Sequence, residues 1–133
     1  MTRSFVRWGL VALALGAAAP VEAQNYAVIG AWRCQGADSG GPVVYDMVFN
    51  ADGHYSGSYV AASGFRAYSE GPFRLTGTLL SITYDVWATQ SQPPVNPGGE
   101  TYSVQFRGSE AMTLIPTRCP GGAECRFACE RHR

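Results

Sequence analysis

From Tyr26 onward the chain alternates apolar and polar residues in short runs, and turns rich in Gly, Pro or Asp separate each run from the next. Side chains on a strand point to opposite faces with a period of two, so each run predicts a half-buried strand. There are eight such runs. In the first, Val28, Gly30, Trp32 and Cys34 share one parity; in the second, residues 43–50, Tyr45, Met47 and Phe49 oppose Asp46 and Asn50. Ala51-Asp52-Gly53 predicts a tight hairpin, Gly53 being free to take a positive φ. The third run, residues 54–61, turns Tyr55, Gly57 and Tyr59 inward, and Gly57 predicts a bend. The fourth, residues 70–76, carries Phe73 and Leu75 inward, and Pro72 predicts an irregular first half. The fifth, residues 78–88, presents Leu80, Ile82, Tyr84 and Val86 on its apolar face, and the sixth presents Tyr102, Val104 and Phe106. Met112 and Leu114 mark the seventh; Cys125, Phe127 and Cys129 mark the eighth.

An even number of short antiparallel strands can close on itself and leave no exposed edge. The predicted fold is therefore all-β, an eight-stranded antiparallel up-and-down barrel over residues 24–133. Residues 35–42, with three Gly, predict a turn or mouth loop, and residues 62–69 a second loop. Residues 89–99, with three Pro and two Gly, predict the longest structureless connection and a gate for the mouth. No helical period competes after residue 24.

Residues 1–23 read differently. Arg3 and Arg7 precede an apolar stretch from Trp8 to Ala19, and Val21-Glu22-Ala23 ends a small-residue cleavage site. The stretch falls short of the roughly 20 residues a bilayer span needs, so a cleaved secretory signal is expected. That places the mature chain in the periplasm or outside the cell. Removing Arg3, Arg7 and Glu22 leaves eight Arg against nine acids, and the chain has no Lys. Such a balance lacks the basic footprint of a nucleic-acid binder. No later stretch is apolar enough to span a membrane as a helix.

Export changes the meaning of the four cysteines, Cys34, Cys119, Cys125 and Cys129. An even count in an oxidising compartment predicts two disulfides, and the C-x5-C-x3-C spacing suits zinc less well than short knuckles do. Cys119 and Cys125 flank a five-residue turn and are expected to pair. In a closed meander the last strand lies beside the first, which brings Cys129 to Cys34. That bridge would staple the barrel seam.

Candidate chemistry is sparse. His54 and His132 have no ligand-type neighbour at metal spacing, and no nucleophile elbow or phosphate-binding glycine loop occurs. Asp46 and Asp85 sit mid-strand on outward parity, as solvated faces do. The expectation is a non-enzyme with no cofactor and no metal site. What remains is the inward aromatic load. An eight-stranded barrel is just wide enough to be filled by side chains or to hold one small ligand. Buried tyrosine hydroxyls need partners, which a polar ligand or water could supply.

Gly30-Ala31-Trp32 early in the first strand, followed by a meander of this length, resembles the calycin superfamily of lipocalins, fatty-acid-binding proteins and avidins. The stretch Ala51-Asp52-Gly53-His54-Tyr55-Ser56-Gly57-Ser58-Tyr59 is similar to the second hairpin of avidins and to small bacterial lipocalin-like domains. The resemblance implies that Trp32 packs across the closed end of the barrel. Avidins wall their biotin pocket with later tryptophans; the only later one here, Trp87, falls on the polar parity of the fifth strand, so that pocket is not expected. The leading expectation is a barrel that binds a small, partly apolar ligand at its open end, with Tyr45, Tyr59, Tyr84 and Phe106 lining the site over Trp32. One rival is a protein-binding barrel like the periplasmic inhibitors of secreted metalloproteases, whose inhibitory arm would here be Gln24-Asn25-Tyr26. Another is a filled structural envelope protein.

Overall fold

The computed structural model describes residues 27–38, 40–95, 98–118 and 125–132, so the predicted export signal lies outside the described residues. Among them the chain forms β1 (Gly30–Asp38), β2 (Gly41–Phe49), β3 (His54–Ala61), β4 (Arg66–Thr76), β5 (Leu79–Tyr84), β6 (Val86–Thr89), β7 (Gln92–Val95), β8 (Gly98–Arg107), β9 (Ala111–Pro116) and β10 (Phe127–Arg131). Neighbours run in the order β3-β2-β1-β10-β9-β8-β5-β4, and a β3–β4 pairing closes the ring. β5 and β6 are successive pieces of one barrel strand, as are β7 and β8: Tyr84 faces Gly98 and Trp87 faces Val95 in one continuing register. The result is the expected closed antiparallel barrel of eight strands.

The seam forms as the register argument requires. β1 pairs with β10, setting Trp32 opposite Arg131 and Cys34 opposite Cys129. A disulfide joins Cys34 to Cys129 across a sequence separation of 95 residues. Cys125 is also disulfide-bonded, but it precedes β10 rather than lying within it. Its expected partner, Cys119, lies outside the described residues.

One end of the barrel is closed. Trp32, only 1% exposed, packs there among Met47, Phe49, Phe73, Leu75 and Met112. Its indole N–H donates to the carbonyl of Val28 at 2.8 Å. The Arg131 guanidinium lies over the indole ring, 4.2 Å from its centroid, and donates to the carbonyls of Ala27, Ile29 and Ser109. One side chain thus ties the entering chain, the β8–β9 turn and the last strand together. The hairpin predicted at residues 51–53 forms, with Gly53 at φ +90°, and it lies at the same end.

Four expectations for the strands are corrected. β1 runs on to Asp38, and a tight turn to Gly41 replaces the predicted loop over residues 35–42. β4 begins at Arg66 and stays paired through Pro72, whose partner is His54. Residues 89–95 and 98–99 are not structureless: the chain turns at Gln90 and Ser91 and enters β7, an outermost strand, where proline is tolerated. The irregularity expected at Pro72 lies instead on the neighbouring strand. Ile82 pairs with Phe73 but Val86 pairs with Glu70, so one strand advances four residues while the other advances three. This is a β-bulge around Asp85, whose N–H donates to Glu70 O at 2.8 Å. Gly71 permits it, because a Cβ there would lie 1.8 Å from the carbonyl oxygen of Thr83.

Candidate ligand-binding site

The bulge resets the alternation of the strand. Before it, Leu80, Ile82 and Tyr84 are buried on the inner face; after it, the inner face belongs to Trp87. The outward parity expected for Trp87 is therefore wrong, because the three-residue step from Tyr84 to Trp87 includes the extra one. Their rings contact at 5.6 Å between centroids.

At this end the inward side chains of β4 shrink. Ala67, Ser69 and Gly71 are inward and buried, where the closed half of the strand carries Phe73 and Leu75. The same end of the barrel holds a cavity of about 360 Å³. Tyr45, Tyr59 and Tyr84 line it as the sequence predicts, joined by Trp87, Tyr102 and Phe127. Glu100 and Arg118 sit on its wall and bond to each other at 2.5 Å, with Glu100 15% exposed and Arg118 79% exposed. Two of the named residues do not line it. Trp32 lies at the far, closed end, its expected place, and Phe106, opposite Met112, packs half-buried against the core there. Strand tilt explains the second case. Phe106 and Tyr59 lie on one row of paired residues running through Met112, Cys129, Cys34 and Tyr45, and that row climbs the barrel from end to end.

The floor of the cavity is polar yet satisfied. The Tyr45 and Tyr55 hydroxyls share a hydrogen bond at 2.5 Å, and the Ser69 hydroxyl is 3.1 Å from that of Tyr55. The Tyr84 and Tyr102 hydroxyls interact with each other and with Tyr45. Among the described residues no buried side-chain nitrogen or oxygen lacks a partner. The inward tyrosines therefore need no ligand to complete their hydrogen bonding, since they complete one another's. Burial holds the phenols of Tyr55, Tyr84 and Tyr102 well above the ordinary tyrosine range. Tyr59, nearer the mouth, is pushed up to about 12, by burial first and then by its hydrogen bond to Asp38.

Gly57 makes this cluster possible. It faces inward between Tyr55 and Tyr59, and a Cβ there would lie 2.1 Å from the Tyr55 hydroxyl and 2.7 Å from Cε1 of Tyr45. The predicted bend is thus better read as room for two rings. Beyond Tyr59 and Trp87 a second cavity, of about 530 Å³, continues outward past Asp38 and Phe65.

Sequence reasoning missed Ser69, Trp87, Glu100 and Arg118. Ser69 fell in a stretch read as a loop, and the alternation of small residues at 67, 69 and 71 was the signal that could have found it. Trp87 was hidden by the bulge, which has no side-chain signature beyond Gly71 and Pro72. Glu100 shares the inward parity of Tyr102 at the start of β8 and could have been found by extending that alternation, whereas Arg118 lies past the end of β9. Asp46, by contrast, lies on the outer face as expected, bonded to its cross-strand partner Arg33 at 2.8 Å. Compared with known proteins, the chain matches no family model and no curated protein.

Proposed function

We propose that this is an exported, calycin-like barrel that holds one small, partly apolar molecule at its open end and performs no chemistry on it. The observation that carries this reading is the open-ended cavity lined by Tyr45, Tyr59, Tyr84 and Trp87 above the packed core. Its volume of about 360 Å³ sits at the lower end of small-molecule sites, which span roughly 300–1,000 Å³. Aromatic walls supply the apolar contact such sites use, and a few convergent polar groups fix orientation. A staple such as Cys34–Cys129 suits the oxidising surroundings of the periplasm or the cell exterior. The resemblance of Gly30-Ala31-Trp32 to calycins fits a barrel whose tryptophan closes the end opposite the site.

The test is a titration of the oxidised protein, residues 24–133, with a panel of small aromatic and aliphatic metabolites, followed by tryptophan fluorescence and thermal midpoint. A binder should change Trp87 emission saturably and raise the midpoint, and Trp87→Ala with Tyr59→Ala should remove both responses. A panel that moves neither signal at millimolar concentration would overturn the small-molecule reading.

A further inference from the structure

The charges around the site are unevenly placed. Glu100 turns a largely buried carboxylate into a cavity walled by the rings of Tyr84, Trp87 and Tyr102. Glu100 stands opposite Ile82 and shares the inward parity of Tyr102, which places it beside the ring cluster. Its partner Arg118 is mostly solvated and reaches the carboxylate from outside. Asp38 adds a second carboxylate where the outer cavity continues past Tyr59. Arg118 is the one cation among the described residues lining either of these two cavities.

We propose that the site selects an organic monocation, a primary or substituted ammonium on a small apolar body, which takes the place of the Arg118 guanidinium at Glu100. This deepens the binding function proposed above and rests on it. The physical basis is twofold. Aromatic faces carry a negative quadrupole and attract a cation more strongly once it is desolvated. A buried carboxylate requires a positive partner, whereas a solvated arginine loses little by returning to water. An anionic ligand would instead have to approach Glu100 and the ring faces, both of which repel it. Arg118 acts as a resident counter-ion: it neutralises Glu100 when the cavity is free of ligand and swings outward when an ammonium arrives.

The experiment uses three molecules of similar shape and different charge: phenethylammonium, phenethyl alcohol and hydrocinnamate. Each is titrated at neutral pH into the oxidised protein and read by calorimetry and by Trp87 fluorescence. Phenethylammonium should bind about tenfold more tightly than the alcohol, with hydrocinnamate weakest. Glu100→Gln should erase that preference while leaving the alcohol's affinity within twofold. Arg118→Ala should strengthen ammonium binding, since the competitor is gone. Preferred binding of hydrocinnamate, survival of the ammonium preference in Glu100→Gln, or weaker ammonium binding in Arg118→Ala would each overturn the proposal and leave the binding function standing. Failure of all three molecules to bind, in the native protein and in Arg118→Ala, would overturn the proposal, and the binding function falls with it only if the wider metabolite panel also leaves both signals unmoved.

Discussion

Tyr84 and Trp87 stand three positions apart on one barrel strand, yet both rings face the same cavity and touch at 5.6 Å. Strict alternation forbids this, and the bulge at Asp85 permits it. The two tryptophans of the barrel consequently occupy contrasting places, Trp32 sealed at the closed end and Trp87 half-buried at the mouth. In the chain 24–133, Trp87→Phe should abolish the part of the tryptophan emission that acrylamide quenches. The remaining emission, from Trp32, should be blue-shifted and resistant. Quenching that persists in Trp87→Phe would mean the closed end is open to solvent.

Gly57 and Tyr55 form a second such relationship, because the hydroxyl of one occupies the volume a side chain on the other would need. Overpacking a core site costs roughly 1–3 kcal/mol, and Gly57→Ala should lower stability to urea by about that much. Tyr55→Phe removes the nearest clashing atom, so the double variant should recover part of the loss beyond additivity. Strict additivity of the two effects would dismiss the proposed clash.

The seam disulfide closes a long loop. Replacing Cys34 and Cys129 together with Ala should cost about 4 kcal/mol in the chain-entropy description. The denaturant slope should rise as the unfolded chain expands. Substitution is the right tool, because reduction would also open the disulfide at Cys125. A variant with native stability would show that the β1–β10 hydrogen bonds hold the seam unaided.

Arg131 binds three carbonyls and stacks on Trp32. Arg131→Ala should destabilise the barrel by about 2 kcal/mol through lost charge-assisted bonds and cation–π contact. Arg131→Lys should recover only a minor share, since an ammonium cannot span the fork of contacts a guanidinium makes. Full rescue by Lys would reduce the role of Arg131 to its charge.

Alkaline pH should unfold the barrel. The phenols of Tyr55, Tyr59, Tyr84 and Tyr102 hold their protons in the folded state to pH values above those of the open chain. The unfolded chain therefore releases protons first, and stability present below pH about 10 falls as pH rises further. Tyrosinate absorption should show Tyr59 ionising near pH 12 unless global opening comes first. The deeper three should appear in one concerted step together with the loss of strand signal. Independent ionisation of all four within the folded barrel would contradict the buried hydroxyl cluster.

By itself the alternation of residues determined the strand count, the inward faces of most strands, the closure of the sheet and the Cys34–Cys129 pairing. Those properties follow from a period of two and from the adjacency of first and last strands in a closed meander, both of which are local or topological. Only the tertiary structure decided where the barrel is filled and where it is open. Phe106 and Tyr59 both read as inward aromatics, but strand tilt places one at the closed end and the other at the mouth. Trp87 read as outward because one unpaired residue at the bulge reverses every face beyond it. The meeting of Glu100 with Arg118 continues the β8–β9 register past Tyr102 and Pro116, but that it falls at the wall of a cavity depends on which end of the barrel is left open.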